Sequence, residues 1–296
     1  MIELSTSAVK FYRHSGRAPI QGLVLMGILG VGATIILGVI YGYLLYYIPF
    51  IYLNFLIVFG YVYAISFVLA RAARYGKVRN ILLIGLAGLA FGLLAEYIGW
   101  VSWIAAILGS PVNLIGFFFP FQVFEIITEI ARQGAWSLFD FTPTGAFLYL
   151  IWLGEAVTVI GGITYLTYTS LSRIPFCEES NDWAEKKSIL GTFGPLADIK
   201  HFKATITQGG YSAFNELKPL QTEQSHFTTL ELFECDRCRN FFVLNVDDVQ
   251  VKINNKGERN TRVKPVISNL IVTSSVLSGI RRLIEEKMAQ SATPAS

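Results

Sequence analysis

The sequence predicts an all-α membrane domain of four transmembrane helices, both termini inside, joined to a small α+β cytoplasmic domain with a ribbon-like β-hairpin. Three observations carry that prediction. No Lys, Arg, Asp or Glu occurs over residues 18–70, a run more than twice the roughly 20 apolar residues that one helical crossing of a bilayer needs. Apolar runs recur at 81–108 and 145–169, after which the composition becomes that of a water-soluble domain carrying all three cysteines. Hydrophobic residues make up 53% of the chain, charged residues only 15%, and mean hydropathy is +0.49, whereas soluble domains are about one-quarter charged.

In chain order, residues 1–19 form a cytoplasmic N-terminal segment with Lys10, Arg13 and Arg17 ahead of the first apolar run. That run far exceeds the roughly 7 to 15 residues of a signal-peptide core, so it reads as a retained helix. The membrane domain is placed at 20–170, with helices over 20–48, 50–70, 81–108 and 145–169 and a turn at Pro49. Basic residues in short loops stay on the cytoplasmic side. Arg71, Arg74, Lys77 and Arg79 put the connector between the second and third helices inside. The turn at Pro49 has no basic residue and the segment 109–144 has only Arg132, so both belong outside, and the chain returns inside at Arg173, Lys186 and Lys187.

Tyr41, Tyr43, Tyr46, Tyr47 and Tyr52 around the first outer turn, with Trp100 and Trp103, read as an interfacial aromatic belt, because amphipathic rings prefer the headgroup level. Gly38 with Gly42, and Gly88 with Gly92, form small-xxx-small pairs that let helix backbones approach in lipid; packing within the chain is the first expectation and a homo-oligomer the second. The outer segment is apolar at Phe117, Phe118, Phe119, Phe121, Val123, Phe124, Ile126, Ile127 and Ile130, with Glu125, Glu129 and Arg132 as a polar edge. Pro120 and Gly134 suit the start and end of a helix. An amphipathic helix in the outer interface accounts for this pattern, and a re-entrant loop is the alternative.

Glu96 and Glu155 are the charged exceptions within the third and fourth apolar runs. At 1.5 Å per residue both lie about 20 Å from the inner ends of their helices, so they share a depth. An ionised carboxylate at mid-membrane costs roughly 2.5–3.5 kcal/mol or more, and such residues face a bundle interior, water or a partner. One reading is a proton or cation site, which makes the chain a small oligomeric transporter or channel. The other is structural, with Glu96 bonded near the interface beside Tyr97 and Trp100 and Glu155 bonded to a neighbouring helix.

The cytoplasmic α+β domain is placed at 171–288, with a disordered tail at 289–296. Short β patterns surround Cys235-Asp236-Arg237-Cys238, alternation continues through Val249, Val251 and Ile253, and a turn at 254–257 leads to a strand over 263–272 and a helix over 275–288. A Cys-x-x-Cys at a hairpin tip is how a zinc knuckle presents two thiolates, and a structural site takes four ligands. Cys177, with Glu178, Ser180 and Trp183 after it, has the outline of a second knuckle. Here the chain resembles uncharacterised bacterial multi-pass membrane proteins whose cytoplasmic tail carries Cys-Glu-x-Cys-x-x-Trp and a later Cys-x-x-Cys hairpin. Cys177, Glu178 and Trp183 match the first motif, Cys235 and Cys238 the second, and Ser180 departs from it. The resemblance implies a bacterial inner-membrane location and a zinc-ribbon-like domain, but no reaction.

Three outcomes stay open for the cysteines. Cys177, Cys235 and Cys238 bind Zn with His201 or His226 as the fourth ligand, or the ribbon has lost its metal, or Cys235 and Cys238 form a redox pair. A redox pair prefers a helix N-terminus. No nucleophile elbow, Walker loop, His-Glu-x-x-His or dinucleotide turn appears in a supporting context, and a formal charge of +3 gives no reason to expect nucleic acid. The expected partners are the lipid bilayer and a cytoplasmic protein, for which the tail serves as an interaction or scaffold module.

Overall fold

The first unit of the chain runs through α1 (Ile20–Tyr47), α2 (Ile51–Tyr75), α3 (Ile81–Ile107), α4 (Pro120–Gln133), α5 (Gly145–Ala156) and α6 (Gly162–Ser172), with a π turn at Val157–Gly161 joining α5 to α6. Among the described residues, α1, α2 from Tyr52, α3 and the continuous run Gly145–Ser172 are the four helices long and apolar enough to cross a membrane. The computed structural model describes residues 9–48, 50–109, 119–137, 141–220, 225–238, 240–254 and 258–292. It divides the chain into residues 15–173 and a second unit made of 1–14 with 174–296.

The helical unit is held by small residues on facing stripes. The buried face of α1 is Gly22, Met26, Gly30, Thr34, Gly38, Tyr41 and Gly42, spaced by about one turn so that they lie above one another. A Cβ on Gly42 would lie 2.6 Å from the Trp103 amide nitrogen, so α1 and α3 touch backbone to backbone. Gly88 and Gly92 bring α3 against Thr164 and Ile160 of the fourth span. Both glycine pairs thus serve packing within the chain, and the Gly38/Gly42 face is taken by α3 rather than left for a second copy. Helix α1 packs on α2 and α3, and the fourth span packs on α3 and α2. Consecutive α2 and α3 therefore sit across the bundle from each other.

Local capping sets the connectors. The Asn80 side chain accepts the Leu83 amide at 3.0 Å and starts α3, while the Arg79 amide donates to Arg17 O at 2.7 Å and ties the connector to the residues before α1. Helix α4 has Pro120 at its first turn and Gly134 just past its end, with φ at 93°. It buries Val123 against Val101 and Ile104 of α3, and Ala131 against Leu148 and Trp152 of α5. Phe121 and Phe124 remain exposed, and Phe117 and Phe118 lie outside the described residues.

The second unit is an antiparallel sheet in the order β1-β7-β6-β5-β4, formed by β1 (Lys10–Phe11), β4 (Lys186–Phe193), β5 (His226–Glu234), β6 (Phe242–Ile253) and β7 (Arg259–Val272). A separate two-stranded hairpin joins β2 (Phe176–Cys177) to β3 (Asp182–Trp183). Successive strand side chains point to opposite faces. One face carries Leu230, Leu232, Leu244, Val246 and Leu270 into the main core, under α7 (Ile199–Thr207), a 3-10 turn at Tyr211–Glu216 and α8 (Ser274–Ala292). The other face carries Phe233, Cys235 and Val243 into a smaller cluster with Cys177 and Ala184.

Two differences from the sequence expectation stand out. Residues 9–14 do not form a separate segment with 15–19; residues 1–8 lie outside the described residues. Lys10 and Phe11 pair with Ile271 and Leu270 at the sheet edge, and two residues are too short to show a strand period. Helix α8 extends to Ala292, into the stretch expected to be disordered, and 293–296 lie outside the described residues. Of the turn at 254–257, residues 255–257 lie outside as well, but its ends are joined by Asn254 N donating to Glu258 O at 3.0 Å.

Candidate metal centre

Two hairpins build the cysteine cluster. In the first, Phe176 pairs with Trp183 and Cys177 with Asp182, and Asn181 adopts a left-handed φ of 52° that closes the turn. Phe176 and Trp183 meet edge to face at 5.0 Å, and the Phe176 amide donates to the Tyr12 hydroxyl at 2.9 Å. In the second, the Cys235 amide donates to Phe241 O at 3.2 Å across the tip between β5 and β6. An ion pair from Arg237 Nε to Asp182 Oδ2, at 2.9 Å, clasps the hairpins together.

The ligand atoms of Cys177, Cys235 and Cys238 all lie within 4.8 Å of one another. Cys177 and Cys238 have their Sγ atoms 3.4 Å apart, and Ser180 Oγ lies 3.0 Å from Cys235 Sγ. A tetrahedral zinc site with Zn–S near 2.3 Å separates neighbouring sulfurs by about 3.8 Å, so the donor set fits one ion of that size. Burial opposes ionisation of Cys235, yet hydrogen bonds from Ser180 and from the Cys238 and Arg237 amides bring its thiol down to about 7. Burial pushes the Cys238 thiol up to about 11, and the neighbouring Cys235 and Cys177 act in the same direction. The cluster is thus polarised toward one thiolate at Cys235, and a bound cation would draw the other thiols into the ionised form.

Neither histidine joins the cluster, which corrects the expectation that His201 or His226 is the fourth ligand. Nine positions separate His226 from Cys235, so strand alternation turns it to the opposite face at the far end of β5. There His226 Nε2 meets Asp248 Oδ1 at 2.5 Å. His201 sits on α7 with Nε2 3.7 Å from Glu216 Oε1. The residue that does enter is Ser180, which the sequence marks only as a departure from the motif. Tyr12, and His14 against Trp183, also support the knuckle, and no spacing rule links them to residues so distant in sequence.

In the helical unit Glu155 accepts a hydrogen bond from the Tyr41 hydroxyl. Tyr41 is buried and stacks on Tyr61 at 4.2 Å, so it is a bundle residue rather than part of an aromatic belt. Tyr61 in turn donates to Ala95 O at 2.9 Å, and Trp100 Nε1 donates to Glu96 at 2.9 Å. The two carboxyls lie within Coulombic reach of each other, and the π turn begins two residues after Glu155. No protein-family model, curated protein or solved structure matches the chain.

Proposed function

We propose that this is a multi-pass protein of a bacterial inner membrane that displays a cytoplasmic docking domain for another protein, built around a degenerate zinc-ribbon-like centre. The observation that carries the reading is the convergence of Cys177 with Cys235 and Cys238 from two clasped hairpins. Such a centre fixes the outline of a small recognition surface. Beside Cys177 an open cleft of about 460 Å³ is bordered by Phe11, Tyr12, Phe176 and Phe241, and aromatic borders of this kind are enriched where proteins dock. Zinc is the proposed cofactor. The motif resemblance and the loop charges support the location and the placement of both termini inside.

The topology is tested first. Reporter fusions after Asn80 and Ser296 are expected to report cytoplasm and fusions near Pro49 and Gly134 the outer side, and an outer C-terminus sinks the assignment. Docking is tested by placing a photo-crosslinking residue at Phe11 or Glu179 of the full chain in its native membrane. A single discrete adduct is expected from the cleft and none from Ile253 on the β6–β7 ribbon. Equal or absent labelling at both places counts against the docking reading.

A second reading, a small oligomeric transporter or channel, is favoured by two carboxyls, Glu96 and Glu155, held within the bundle by Trp100 and Tyr41, the latter beside a π turn, a feature frequent at functional sites. Proton or cation flux in liposomes that disappears in Glu96→Gln and Glu155→Gln would move the assignment to that reading.

A further inference from the structure

We infer that Ser180 is the fourth ligand of the cysteine centre, making it a three-thiolate, one-hydroxyl site for a divalent d10 cation such as zinc, with one weak and exchangeable corner. This rests on the reading that the three cysteines hold a metal. The hairpin repeats one spacing: Cys177-Glu178-Glu179-Ser180 places its last residue as Cys235-Asp236-Arg237-Cys238 places Cys238. Ser180 Oγ lies 3.0 Å from Cys235 Sγ. Oxygen and sulfur ligands of one tetrahedral ion are about 3.6 Å apart, so a small outward shift of the hydroxyl admits the ion.

Of the residues that could compete for the fourth place, Asp182 is held by Arg237, and His201 and His226 lie away from the cluster, paired with Glu216 and Asp248. Glu178, Glu179 and Asp236 on the knuckles are exposed. The chemistry of the fourth corner follows from charge and softness. Three thiolates and a divalent ion leave one net negative charge, and a neutral hydroxyl in the fourth place adds none. A neutral oxygen binds a thiophilic ion less firmly than sulfur does, and structural sites are closed whereas sites with a replaceable ligand stay open. Cys177 and Cys235 are buried, while Ser180 and Cys238 are only half-buried. The weak corner is therefore on the side that solvent reaches, and the ion can be exchanged there without unfolding the main core. A monovalent ion such as Cu(I) would be satisfied by the three sulfurs and indifferent to Ser180.

The test uses the full chain in detergent, with cobalt(II) as the spectroscopic probe and with Ser180→Ala and Ser180→Cys beside the native protein. Native protein is expected to bind one cobalt with a tetrahedral visible spectrum. Ser180→Cys raises the thiolate charge-transfer band by about one-third, as three sulfurs become four. In chelator competition Ser180→Cys is expected to hold the ion at least about tenfold more tightly and Ser180→Ala about tenfold less tightly. Tightening in Ser180→Cys is a gain that misfolding does not produce. The inference is overturned if Ser180→Ala leaves spectrum and affinity unchanged, if Ser180→Cys fails to tighten binding, or if the native protein takes up no cobalt. Absence of cobalt from the native protein also removes the metal reading on which the inference rests, whereas the two Ser180 results overturn the inference alone; docking is decided separately by the crosslinking at Phe11 and Glu179.

Discussion

Replacing Gly42 with alanine is expected to destabilise the helical unit by on the order of 1–3 kcal/mol. The same change at Gly32 on the same helix is expected to be neutral, or to stabilise by up to about 1 kcal/mol. The new Cβ at Gly42 would meet Trp103 N and Ser102 Cβ at 2.6 Å and Gly99 O at 2.7 Å. Two of those atoms are backbone and have no rotamer to escape into, so α1 and α3 must separate along their contact. Gly32 has nothing within 4 Å of the added carbon, and there alanine simply lowers the entropic cost of ordering the helix. Thermal unfolding of the full chain in micelles, followed by tryptophan fluorescence, checks the pair. Equal melting temperatures for the two variants would show that the α1–α3 contact does not hold the unit together.

Gly42 was legible in the sequence and its partner was not. Small residues four apart announce close approach, but Gly38 and Gly42 face α3 because the chain places α2 and α3 across the bundle, and no local signal specifies that order. The helices themselves were readable because a long uncharged run has one physical outcome, and Pro120 and Gly134 bounded α4 by fixed backbone preferences. Tyr41 was misread as an interfacial ring because its partner Glu155 is 114 positions away. In the α+β unit the alternating strands were visible, while Lys10–Phe11 gained strand character only through pairing with β7. The cysteine trio was named from spacing. Its fourth member was not, since residue type alone points to histidine, whereas hairpin geometry brings in Ser180.

The largest expected effect in the α+β unit comes from Phe202→Ala, at about 3–5 kcal/mol, a large share of the 5–15 kcal/mol that typically holds a domain together. Phe202 is fully buried, and its ring meets Phe214 edge to face at 5.7 Å. It anchors α7 over the face that carries Leu230, Leu232, Leu244 and Leu270, so its loss leaves a cavity beneath the helices that cover the sheet. Hydrogen exchange on the full chain should show β5, β6, β7 and α8 losing protection together. Stripping the proposed metal acts on the opposite face, where Cys177, Cys235, Phe233 and Val243 form a smaller cluster. Chelation is therefore expected to free the amides of the two knuckles, around 176–183 and 235–241, while β6 and β7 stay protected by the main core. If chelator deprotected β6 and β7 as fully as Phe202→Ala does, the two faces would be one cooperative unit and the metal a requirement of the whole domain. If Phe202→Ala deprotected α7 alone, the helix would be an accessory to a sheet that stands without it.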